Sequence, residues 1–95
     1  LIELSLAGGV ISGVADPFDF VDPITAVAVS PHAGGTRYVL ATPGSAANPG
    51  SRFYRRNGGV WTQTVTQLPN GQFFYGARIL PDPARPGHVY VAGSG

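Results

Sequence analysis

Three aspartates stand at intervals of three in the segment Asp16-Pro17-Phe18-Asp19-Phe20-Val21-Asp22-Pro23. Carboxylates this close along a chain offer the oxygen ligands that calcium takes, so Asp16, Asp19 and Asp22 are candidate metal ligands. The segment lacks the Asp-x-Asp-x-Asp-Gly pattern and the distant Glu of a twelve-residue calcium loop. Asp before Pro is ordinary turn chemistry, and Asx-turn capping is the expected role of all three; no metal or other cofactor is expected. A second group, Tyr54, Arg55, Arg56 and Trp61, surrounds one turn. A sugar could stack on such a ring beside guanidinium donors, which makes these four the candidate ligand-binding residues. The competing role for Trp61 is packing in the core or between blades, since a large aromatic buries some 150–250 Å².

Catalytic constellations are absent from the sequence. Glycoside hydrolysis needs two carboxylates roughly 5 to 10 Å apart across a cleft, and Glu3, Asp16, Asp19, Asp22 and Asp82 are the only acids. Asp82 precedes Pro83 and is expected to serve a turn. No Ser-His-Asp order, nucleophile elbow or phosphate loop occurs. No catalytic residue is assigned, and an enzyme is not the leading expectation.

The elements that must position these residues read as strands. Leu1 to Leu6 alternates as a half-buried strand; Val10 to Val14 offers a second one that Gly13 weakens. The two Asp-Pro steps make residues 16–23 a loop. Ile24 to Val29 is apolar or small on both faces, as in a strand covered on both sides. Thr36 to Thr42, Arg52 to Arg56 and Val60 to Val65 follow as strands, the last two joined by Asn57-Gly58-Gly59, a strong hairpin signal. The Pro43 to Gly50 segment reads as a surface loop, Leu68 to Gln72 as a turn, and the Phe73-Phe74-Tyr75 run opens another strand. No apolar stripe at helical spacing survives between the glycines and prolines.

Composition bounds the rest. The chain has 95 residues, six basic against five acidic, a net charge of +1 and no cysteine, so disulfides and thiolate metal sites are excluded. All six basic residues are Arg, and only Arg52, Arg55 and Arg56 cluster, which is no nucleic-acid footprint. No run reaches the roughly 18 apolar residues of a membrane span. The 43 % hydrophobic content argues for folding, while 14 Gly, 9 Pro and low charge fit secreted β-rich proteins. The absence of Met points to processing or truncation.

One stretch occurs twice. Ser30 to Ala41, SPHAGGTRYVLA, returns at an offset of 52 as Asp82 to Gly93, DPARPGHVYVAG, with Pro31 on Pro83, Gly35 on Gly87, Tyr38 on Tyr90 and Val39 on Val91. Such a period sits beside the roughly 40–50 residues of one four-stranded propeller blade. His32 and His88 are not equivalent under that offset and read as polar turn residues.

On these residues the segment Ile24 to Gly95 resembles the blades of secreted bacterial β-propellers of the BNR or Asp-box kind, a group that includes sortilin-like, sialidase-like and xyloglucanase-like domains. Ile79 to Ala92, ILPDPARPGHVYVA, follows the group's strand, Asp-Pro, turn and Val-Tyr-Val-Ala order, and Val27 to Ala41 follows it with Ser30 in place of Asp. The group's Ser-x-Asp-x-Gly-x-x-Trp box is met in part by Arg55 to Trp61, with Arg55 for Ser, Asn57 for Asp and Trp61 one residue nearer.

The resemblance implies an all-β fold, an antiparallel four-stranded blade plus part of the next. Residues 1–23 form an outer strand and inter-blade loop, 24–72 a blade and 73–95 the first half of another. Its partners are the remaining blades of the same protein or further copies of the chain, with a glycan as a possible ligand, in an extracellular or periplasmic place. The leading expectation is a non-catalytic repeat segment with a structural or protein- or glycan-binding role. The alternatives are a fragment of a glycoside hydrolase or sialidase, and a short repeat subunit of a lectin-like or filamentous homo-oligomer.

Overall fold

The computed structural model describes residues 1–42, 51–65 and 75–94, which hold eight strands and no helix. The expected all-β class is therefore met. The expected loop over 43–50, the turn over 68–72 and the Phe73-Phe74 pair lie outside the described residues. Strands β1 (Ile2–Ala7) and β2 (Val10–Ala15) form a hairpin; β3 (Ile24–Val29), β4 (Arg37–Ala41), β5 (Arg52–Arg56) and β6 (Trp61–Val65) form a four-stranded sheet in that order; β7 (Tyr75–Pro81) and β8 (Val89–Ser94) form a second hairpin. Every pairing is antiparallel.

The twelve-residue recurrence is one structure built twice. Ala28 pairs with Tyr38 and Val27 with Val39, while Leu80 pairs with Tyr90 and Ile79 with Val91, each position displaced by 52. The turns agree as well. Ser30 N donates to Thr36 O at 2.8 Å, and Asp82 N donates to His88 O at 2.8 Å. The Ser30 hydroxyl accepts from His32 N at 3.1 Å where the Asp82 carboxylate accepts from Ala84 N at 2.8 Å. Serine can replace aspartate here because both close the turn with a side-chain oxygen two residues back. Gly35 and Gly87 both carry the left-handed backbone, with φ of 55° and 80°, which explains the retained glycine.

Two apolar clusters lie on opposite faces of the four-stranded sheet. Tyr38, Leu40 and Phe53 pack with Ile79, and Ala26, Ala28, Val89 and Val91 complete that cluster. Val39, Ala41, Tyr54 and Trp61 pack with Phe20 and Ile24 on the other face. Strand β4 alternates between the two clusters, so its Tyr38 to Ala41 run is buried on both sides. Strand β3 departs from the expectation that both its faces are covered: β7 packs on it, but Val27 and Val29 remain 55 % and 58 % exposed. The small Ala26 and Ala28 side chains sit on the covered side and let the second hairpin come close.

The first 23 residues hold both strands that the sequence offers, β1 and β2, ahead of the loop 16–23. Strand β2 runs through Gly13 because that residue lies opposite Leu4; a Cβ there would stand 2.7 Å from Leu4 Cδ2. The missing side chain makes room for leucine instead of ending the strand. Both faces of this hairpin are exposed, not one.

Leu40 has no exposed surface, so Leu40→Ala is expected to lower unfolding free energy by about 2–5 kcal/mol. Val60→Ala, at an exposed turn position, should change it by about 0.5 kcal/mol or less. Urea unfolding of both variants, with an unchanged m-value, checks this contrast.

Candidate functional site

The loop 16–23 folds back over the face of the sheet that carries Val39, Tyr54 and Trp61. Its two aromatic residues enter there: Phe20 meets Tyr54 at 5.2 Å and Trp61 at 5.0 Å between ring centroids, both edge to face, and Phe18 meets Phe20 at 4.8 Å. Tyr54 Oη donates to Phe20 O at 3.2 Å, fixing the loop, and burial pushes its phenol pKa up. Phe20 O also accepts from Asp22 N at 2.7 Å around Val21, whose φ is 70°. This is a γ-turn of the strained positive-φ kind, at a β-branched residue, which costs on the order of 1–3 kcal/mol. The aromatic cluster holds it in place.

Beside these rings five side chains form one ionic chain. Asp16 Oδ2 accepts from Trp61 Nε1 at 2.7 Å and from Arg56 Nη1 at 2.9 Å. Arg56 Nη2 donates to Glu3 Oε2 at 3.2 Å, and the Arg37 guanidinium binds Glu3 Oε1 through Nε at 3.0 Å and through Nη2. Arg37 and Arg56 are direct cross-strand neighbours on one face, an unfavourable like-charge pair. Glu3, reaching in from β1, neutralises it by binding both. Arg56 also lies over the Trp61 ring, 5.2 Å from its centroid. Its buried Nε has no hydrogen-bond partner among the described residues.

Glu3, Asp16, Phe18, Arg56, Val60 and Trp61 line a cleft of about 430 Å³. Of the four residues expected around the turn, Tyr54, Arg56 and Trp61 share this face; Arg55 points to the other and is exposed. Trp61, only 7 % exposed, lies in the buried cluster with Phe20 and Tyr54, in the packing role; of the two rings that line the cleft, Phe18 is the more exposed. The three aspartates diverge. Asp16 and Asp19 each cap a turn, accepting from Phe18 N at 2.9 Å and Val21 N at 2.8 Å, and Asp22 binds Arg52 Nη1 at 2.8 Å. No group of three metal-ligating side chains comes together among the described residues. His32 Nε2 lies 2.8 Å from Asp82 O, tying one repeat turn to the other. Arg37 and the Phe18-Phe20 pair are not among the residues that the sequence singles out; the signal for the two rings is their spacing of two in the loop, which puts both on one side of an extended segment.

Hydrogen bonds set the carboxylate chemistry. The Asp16 carboxyl is held below its usual range by the Trp61 indole first, then by the Phe18 amide and the Arg56 charge. Glu3 is lowered mainly by Arg37, and Asp82 by the Ala84 amide and Arg85. The arrangement presents fixed anionic acceptors and fixed cations, not a proton donor at neutral pH.

Because the folded pKa values lie below the unfolded ones, these carboxylates stabilise the fold above the ordinary carboxyl range of about 4, and their contribution is lost as pH falls through the folded values. The urea midpoint should hold from pH 7 to about 5 and drop below about 4. Asp16→Asn should start lower at pH 7 and fall less steeply. Trp61→Phe keeps a ring but removes the indole donor; it should cost about 1 kcal/mol and raise the Asp16 pKa read from its carboxyl carbon shift by NMR.

No protein-family model, curated protein or solved structure matches this chain.

Proposed function

We propose that the chain is a non-catalytic segment of a β-propeller of the BNR or Asp-box kind in an extracellular or periplasmic protein, with a structural and protein- or glycan-binding role. The observation that carries this reading is the recurrence of one hairpin, turn and register at a displacement of 52 residues. A four-stranded antiparallel sheet followed by the first half of a like sheet, packed on its face, is how a radial repeat grows. The Asn57-Gly58-Gly59 turn, which joins β5 to β6 with Gly58 at φ 86°, supports the resemblance to the Asp-box turn.

Glu3, Asp16 and Asp82 favour binding over turnover. A glycosidase needs one carboxyl raised enough to act as a general acid, whereas Glu3, Asp16 and Asp82 all move the other way. The cleft beside Phe18 offers what a sugar uses: a ring that is 38 % exposed and charged hydrogen-bond partners around it.

A glycan array paired with hydrolysis assays tests this. Retention of a glycan by the wild-type chain, weakened about tenfold in Phe18→Ala (about 1.4 kcal/mol), with no hydrolysis, is the expected result. Hydrolysis that disappears in Asp19→Ala would instead identify a glycoside hydrolase.

A further inference from the structure

The β1–β2 hairpin belongs to the repeat as well. Leu6-Ala7-Gly8-Gly9-Val10-Ile11 lies on Arg56-Asn57-Gly58-Gly59-Val60-Trp61 at an offset of 50, sharing Gly-Gly-Val. The pairing is shared too: Leu6 with Ile11, Ser5 with Ser12 and Leu4 with Gly13 match Arg56 with Trp61, Arg55 with Thr62 and Tyr54 with Gln63. Gly8 and Gly58 both adopt the left-handed backbone. Strands β1–β2 are thus the counterpart of β5–β6, as β7–β8 are of β3–β4. The eight strands make two units of four: one continuous, the other divided into an early hairpin and a late one.

In the continuous unit the two hairpins are joined by the β4–β5 pairing, with Val39 on Tyr54, Tyr38 on Arg55 and Leu40 on Phe53. Their counterparts are β8 and β1, and among the described residues each of these strands is paired on one side only. They cannot meet within one chain. Hairpin β7–β8 covers the Tyr38 and Leu40 face of the central sheet, while β1 reaches Arg37 and Arg56 on the opposite face through Glu3, so the sheet stands between them.

We infer that β8 of one chain pairs antiparallel with β1 of a second copy of this chain, completing the divided sheet between the two. Carrying the internal register across sets Val91 on Leu4, Tyr90 on Ser5 and Ala92 on Glu3. Side chains agree with this register. Leu4, Leu6 and Ile11 are 67 %, 71 % and 69 % exposed, and they fall on the face that already bears Ile79, Val89 and Val91, extending one apolar surface across the seam. The contact is heterologous, so copies add head to tail until a ring closes, and it covers two open strand edges at once.

This inference rests on the repeat reading behind the proposed function but not on its ligand. The chain has no cysteine, so single variants are clean probes. Leu4→Cys mixed with Val91→Cys should give the mixed disulfide under mild oxidation, because opposed cross-strand residues lie within disulfide reach. Leu4→Cys mixed with Ala92→Cys, one residue out of register, points the thiols to opposite faces and should stay reduced.

Sedimentation equilibrium should show oligomers of the wild-type chain and at least tenfold weaker association for Leu4→Lys, with far-UV circular dichroism unchanged. A folded wild-type monomer throughout the micromolar range, or equal cross-linking of both cysteine pairs, overturns the proposed pairing. A monomer that still retains glycan overturns it without touching the proposed function.

Discussion

The seating of Ile79, Val89 and Val91 against Ala26, Ala28, Tyr38 and Leu40 is the contact on which the rest of the chain depends. It joins two unlike faces of one repeated element. Displaced by 52 residues, the receiving face of the first hairpin becomes Arg78, Leu80, Tyr90 and Ala92, and the inserting face of the second becomes Val27, Arg37 and Val39. A contact of this kind is never complementary to itself. A finite stack must therefore leave one face open at each end, and the exposed Val27 and Val29 at one end and Leu80 and Tyr90 at the other are those faces.

The open end bearing Val39 is partly covered by the loop 16–23, and the covering accounts for the ionic chain. Phe20 shields Val39 and Ala41 only if the loop is turned sharply at Val21, in a backbone conformation that valine resists. Asp16 bound to Trp61 and Arg56, and Asp22 bound to Arg52, anchor both ends of that turn. Glu3 does the same for the Arg37 and Arg56 pair, so the first hairpin is attached mainly through charge. Its Leu4, Leu6 and Ile11 side chains stay exposed among the described residues, an apolar patch of the kind that marks an interaction surface.

Much of the strand layout was legible from period and punctuation. The alternation in IELSLA, the Asn-Gly-Gly turn and the Pro-to-Tyr recurrence each correspond to an observed strand, hairpin or register. Alternation, however, tells which residues share a face, not what covers that face, and so β1 and Val27 were expected to be more buried than they are. The Arg56 pairing with Asp16 spans 40 positions, beyond any local pattern. The kinship of β1–β2 with β5–β6 was masked because its offset is 50, not 52, and because leucines in one hairpin stand where the other has arginine and tyrosine. Gly13 misled for a simpler reason: a glycine weakens an isolated strand, but here it accommodates the leucine opposite.

The most direct measurement is a set of methyl and ring contacts from solution NMR of the chain. The account predicts nuclear Overhauser effects from the methyls of Ile79, Val89 and Val91 to the Tyr38 ring and the Leu40 methyls, with Leu80 and Tyr90 showing none to those two residues. Contacts from Leu80 and Tyr90 to Leu40, or a second hairpin with no contact to the first, would contradict the head-to-tail repeat.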